Sequence, residues 1–214
     1  MLKSVRLGQL HGQVKCRANR LRLLATESET FRTPEAYRQA AYVAIEAYNL
    51  WWNFQREYYL ACSFMSPRRV SGGKVENLTP GVSDEMSALA AALVANGRPI
   101  PAPGVPINPR LEPDWSQKST LMAAATQFSN IGAIASGLSI ASTMFAELPS
   151  VRIFCAHRNE NTARKVRNIA RNEYGLSALA HPLDLVNDIH RHRTQSLLLD
   201  WIWDIETMSE LMCT

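Results

Sequence analysis

The sequence predicts an all-α protein, an up-and-down helical bundle with a proline-rich insertion, and three observations carry that prediction. Apolar residues recur at three- and four-residue steps through most of the chain, which is the spacing of one buried helix face. Helix start and stop residues flank those runs, and no alternating segment of useful length marks a strand. Of the 214 residues, 46% are hydrophobic and 20% charged, with 10 Gly and 11 Pro, the prolines clustered. That composition is globular, and the length buries a real core within one domain, residues 1–214.

In order along the chain, residues 2 to about 25 set Val5, Leu10, Val14, Leu21 and Leu24 among basic positions, a loose helical pattern. Thr33-Pro34-Glu35 then supplies a capping side chain, a proline for the first helical position and an acid facing the helix dipole. A long helix follows to about Phe64, with Tyr37, Ala41, Ala44, Tyr48, Trp51, Trp52, Tyr59 and Cys62 on its apolar stripe. Trp51, Trp52, Phe54, Tyr58 and Tyr59 have the faces to stack on bases, but at helical spacing they read first as core.

Residues 66–115 hold most of the prolines and read as an insertion around one short helix, Ser83 to about Asn96, capped by Ser83 and stopped by Gly97. A connection this long should pack on the rest, and Pro99 to Pro109 forms an extended strip suited to docking. Ser119 to Ala146 then runs 28 residues without a charge. Its length would admit a membrane span, yet Thr126, Gln127, Ser129, Asn130 and Ser136 interrupt it, so no membrane span is expected. The reading is one central helix whose small residues Ala125, Gly132, Ala135, Ser136 and Ser139 admit a close neighbour. Pro149-Ser150 is expected to end it and to start a helix that Gly175 stops. A last helix is expected from Pro182 to Met208, with His190, Arg191, His192 and Arg193 on its solvated side.

Net charge is only +4, but it is concentrated. Lys3, Arg6, Lys15, Arg17, Arg20 and Arg22 fall in a stretch without an acid; Arg152, Arg158, Arg164, Lys165, Arg167 and Arg171 stand against the single acid Glu160. Two such segments fit either ordinary solvated faces or one surface for nucleic-acid phosphates. Cys16, Cys62, Cys155 and Cys213 have neither zinc-ligand nor disulfide spacing, which fits a reducing cytoplasm, and no secretory signal is expected. No phosphate-binding glycine loop, H-E-x-x-H or G-x-S-x-G motif is present, so neither a cofactor nor a metal is expected.

The chemical lead is Arg152-Ile153-Phe154-Cys155-Ala156-His157. An arginine binds a phosphate bidentately and an imidazole moves a proton near neutral pH. On one straight helix residues five apart diverge by about 140°. They converge only if Arg152 occupies an irregular first turn or a second copy completes the site. His157, Asn161, Arg164, Asn168 and Arg171 step by four and three, so one continuous helix would line them on a polar stripe with Arg158 beside it.

Arg152-x4-His157, within Arg-Ile-Phe-Cys-Ala-His-Arg-Asn and placed at the start of a late bundle helix, resembles the HEPN superfamily of helical bundles. The coarse helix order from about residue 34 to 175 agrees. The resemblance implies a HEPN-like fold and a metal-independent endoribonuclease, often a toxin or anti-phage effector, whose site forms across a homodimer. It makes Arg152 and His157 catalytic, and the stripe Arg158, Asn161, Arg164, Asn168 and Arg171 is then the expected RNA contact. A toxin of this kind implies an antitoxin or other partner protein. The chain departs from the family at Ile153, where active members commonly carry a polar residue, as a silent bundle would. The other reading is a non-catalytic helical subunit that binds RNA or a protein.

Overall fold

The computed structural model describes residues 7–29, 32–64, 84–102, 105–128, 131–190 and 194–214. Among these every regular element is a helix: α1 (Leu7–Glu29), α2 (Pro34–Phe64), α3 (Glu85–Ala95), α4 (Lys118–Ala125), α5 (Gly132–Leu138), α6 (Met144–His157), α7 (Glu160–Tyr174), α8 (Asp184–Asn187) and α9 (Leu197–Cys213). The all-α class therefore holds among the described residues, and none of their helices is long and apolar enough to cross a membrane. The chain forms two compact units. One comprises Met1–Val14, Trp51–Ile140 and Thr207–Thr214, the other Lys15–Leu50 and Ala141–Glu206, and α1, α2 and α9 contribute residues to both.

The first unit is built on aromatic residues that the sequence placed at helical spacing. Trp51, Phe54, Tyr58 and Tyr59 are buried, with Tyr59 packed on Trp115 at 5.2 Å and on Phe128 at 5.6 Å between ring centroids. The Tyr59 hydroxyl donates to the Ala88 carbonyl at 2.9 Å, so this aromatic cluster is core with a satisfied polar end. Part of the proline-rich insertion packs here. Glu112 is fully buried at its side chain, where its Oε2 accepts from Arg56 Nε at 2.7 Å and from Trp115 Nε1 at 2.9 Å. Burial pulls the Arg56 pKa down, but its hydrogen bonds and charge interactions with Glu112 and Glu85 outweigh that and hold it above the ordinary value. The helix α3 is capped by Asp84, whose side chain accepts from the Ser87 N–H, where the sequence reading chose Ser83; Ser83 itself lies outside the described residues. Gly97, at φ +66°, ends α3 as expected.

The uncharged run is not one helix. It divides into α4, α5 and the start of α6 because its hydroxyls compete for helical carbonyls: Thr126 Oγ1 donates to the Ala123 carbonyl and Ser139 Oγ to the Ser136 carbonyl, each at 2.7 Å. Lys118 Nζ then donates to the Leu138 and Ile140 carbonyls at 2.7 and 3.0 Å, satisfying acceptors at the end of α5. The close approach occurs at Gly137, where a Cβ would collide with Met212 and stand 3.1 Å from the Met208 carbonyl oxygen.

In the second unit Val43, Ala44 and Ala47 of α2, Val151 and Phe154 of α6, Val166 and Ala170 of α7, and Trp201 and Ile202 of α9 are buried. Thr33 caps α2 as expected, its Oγ1 accepting from the Ala36 N–H at 3.2 Å. Arg22 is paired with Glu206, and its guanidinium lies 4.1 Å from the Trp203 ring. Three boundaries differ from the sequence reading. Pro149 lies inside α6 rather than at its start, removing one intrahelical donor without ending the helix. The expected helix through Tyr174 breaks after His157: Arg158 is left-handed (φ 43°, ψ 41°) and Asn159 opens α7 with a reciprocal capping box to Thr162. The expected final helix is α8, a connection and α9; His190 is buried there 4.6 Å from the Tyr174 ring and bonds the Leu185 carbonyl, so it is not on a solvated face. Residues 2–6, 66–83, 103–104, 129–130 and 191–193 of the sequence-predicted features lie outside the described residues.

Candidate functional site

The hairpin of α6 and α7 positions the motif residues. Val151, Phe154 and Cys155 bury one side of α6, which turns Arg152 to a half-buried place over the ring of Tyr48, its Cζ 5.4 Å from the centroid. Arg152 Nε is buried with no hydrogen-bond partner among the described residues, and the guanidinium has no carboxylate beside it there. His157 is the last residue of α6 and is exposed. Arg152 is not in a first turn, since α6 begins at Met144. The two therefore keep the roughly 140° divergence of a regular helix, and one chain does not bring them together. The motif also sits toward the C-terminus of its helix, so the expected helix N-terminus at Arg152 is absent; carbonyls, not N–H groups, end α6.

The polar stripe loses its first member for the same reason. With the left-handed residue between them, His157 and Asn161 are on different helices. Asn161, Arg164, Asn168 and Arg171 do share α7 and are all exposed, with Asn161 accepting from Arg164. Arg167 instead pairs with Glu160 at 3.1 Å. Cys155, inside the motif, is pushed up to about 12 by burial and is therefore no nucleophile at neutral pH.

Arg158 leads to residues that sequence reasoning passed over. It lines a cavity of about 420 Å³ together with Arg32, Tyr37, Arg38, Phe154 and His181. His181 stacks on Tyr37 with centroids 3.9 Å apart and meets Phe154 edge-on at 6.0 Å. The Leu183 N–H donates to His181 Nδ1 at 3.1 Å, so the neutral ring carries its proton on Nε2. Asp184 fixes this corner, accepting from the Tyr37 hydroxyl and the His181 N–H, each at 2.8 Å, and pairing with Arg32 at 3.4 Å. Burial lowers the His181 pKa; Asp184 opposes this, and Arg158 and Arg167 reinforce it. Among the described residues no group of three His, Cys, Asp or Glu side chains is arranged to hold a metal ion.

Fold and site together define an all-helical protein with an arginine-rich, carboxylate-poor surface around α6 and α7. No protein-family model matches the chain, and neither a curated protein nor a solved structure matches it.

Proposed function

We propose that the chain is a metal-independent endoribonuclease of HEPN type, working as a homodimer in a toxin or anti-phage role. One observation carries the reading: Arg152 and His157 both lie in the C-terminal half of α6, the arginine without a carboxylate partner among the described residues and the histidine exposed. A guanidinium not neutralised by an acid is free to stabilise charge on a phosphate, and an exposed imidazole is free to meet one. Their divergence within one chain is what a second copy would complete. RNA supplies its own nucleophile in such a reaction. His157 takes the proton of the 2′-hydroxyl as its oxygen attacks phosphorus, Arg152 stabilises the developing oxyanion charge, and the P–O5′ bond breaks as the departing 5′-oxygen takes a proton from water. The products are a 2′,3′-cyclic phosphate and a 5′-hydroxyl. The exposed row Asn161, Arg164, Asn168 and Arg171, beside Arg158, would hold the flanking phosphodiesters.

The test is cleavage of labelled single-stranded RNA in EDTA, followed by identification of the product ends. His157→Ala should slow cleavage by about 10²- to 10⁴-fold while leaving RNA binding intact. Equal cleavage by that variant refutes the reading. A protein that binds RNA but never cuts it would be the non-catalytic subunit, a reading favoured by Ile153, which is 36% exposed where a polar residue would serve catalysis.

A further inference from the structure

We propose that the cavity between Tyr37, Phe154, Arg158 and His181 is a binding site for a phosphate monoester whose organic group is a ring. Three arginines, Arg32, Arg38 and Arg158, line the cavity, and no acidic residue does. Arg32 is committed to Asp184 and Asp188, and Arg38 to Glu35. Arg158 has neither a hydrogen bond from its guanidinium nor an ion pair among the described residues, leaving a forked donor with its full charge at the cavity wall.

A second donor is prepared beside it. Because Nδ1 of His181 is occupied by the Leu183 N–H, the ring's remaining nitrogen, Nε2, is the donor, and it has no partner among the described residues. Stacking on Tyr37 and the edge contact with Phe154 hold that ring in one orientation. A guanidinium fork with an imidazole N–H recognises the oxygens of a phosphate. The apolar part of the lining, Tyr37, Phe154 and Leu183, suits a flat group attached to it, and about 420 Å³ is within the size range of small-molecule sites.

The backbone supplies an independent observation. Arg158 is the one residue other than glycine with positive φ among the described residues. The left-handed region is strained for a side-chain-bearing residue, and glycine would cap α6 there without that strain. Arg158 keeps that strained backbone at the wall of the cavity, and strain of this kind clusters at binding sites.

The inference concerns binding and stands apart from RNA cleavage. The ester has two possible sources, the phosphorylated end of an RNA chain or a free small molecule. The probe is phenyl phosphate, titrated into the full chain and followed by the imidazole resonances of His181, with inorganic phosphate and phenol as references. Saturable binding at least tenfold tighter than that of either reference is expected. Arg158→Gly should weaken it at least tenfold without lowering the melting temperature, because glycine accepts the same backbone; Arg158→Lys should lose less. Absence of saturable binding up to about 10 mM, or unchanged affinity in Arg158→Gly, overturns the proposal. A 5′-phosphorylated oligoribonucleotide that outcompetes its 5′-hydroxyl counterpart assigns the site to RNA ends, competition by neither assigns it to a free ester, and equal competition by both, which is phosphodiester binding, overturns the proposal. His157→Ala should leave all of these affinities unchanged, so failure of the cleavage reading and failure of this one are told apart.

Discussion

Replacing Tyr174 by phenylalanine removes a single oxygen from the far end of the hairpin that presents the site. That hydroxyl lies 3.0 and 2.9 Å from the two carboxylate oxygens of Glu147, which is 4% exposed in the first turn of α6. The ring itself remains packed on His190. A hydrogen bond to a charged group contributes about 1.5–3 kcal/mol, and its loss leaves a buried carboxylate short of a donor. Glu147 keeps other interactions, so the lower half of that range applies, about 1.5–2 kcal/mol. For a domain of this size each kcal/mol moves the melting temperature by about 2–4 °C, giving a fall of about 3–8 °C by calorimetry. Amide exchange should accelerate in the last turn of α7 before it does at Asn159. A double-mutant cycle with Glu147→Gln should recover a coupling energy between the two positions. A Tyr174→Phe protein melting within 1 °C of wild type would show that this contact does not hold the hairpin, and the energetic reasoning would fail.

Two further outcomes follow from buried charge. Arg56→Met leaves the Glu112 carboxylate, fully buried beside an arginine only 17% exposed, without its cation; unfolding in urea should show a loss of about 3–5 kcal/mol, recovered only in part when Glu112→Leu is added, because that change leaves the buried Trp115 N–H without its acceptor. His181 has its folded pKa below the ordinary 6.5, so the folded state prefers the neutral ring and the unfolded chain takes up a proton first. Its stabilising contribution is complete above pH 6.5 and is lost as the pH falls from there through the folded value; His181→Asn should flatten that part of the melting-temperature profile.

Local signals carried the parts of the fold that were legible. Thr33-Pro34 and Gly175 mark helix ends within a few residues of chain, and the stripe from Tyr37 to Cys62 runs through a single helix, so α2 and the end of α7 were readable. The breaks inside the uncharged run were not, because Thr126 and Ser139 end helices through hydroxyl bonds that such residues also forgo in helix interiors. Asn159 with Thr162 is a capping signal that was present in the sequence but overridden by an unbroken three-and-four count from His157 to Arg171. For the site, sequence pointed to Arg152 and His157 yet did not bring them together. It passed over His181, whose neighbour Tyr37 lies 144 residues earlier in the chain (181 − 37). No spacing rule reaches that far.

The left-handed turn at Arg158 sets two selective pressures against each other. A library of variants at this one codon, sorted for thermal tolerance alone, should converge on glycine and asparagine, the residues that adopt this backbone with least strain. The same library sorted for retention of an aromatic phosphate should converge on arginine. How the winners differ between the two sorts would measure what the protein gives up in durability to keep a positive charge at that bend.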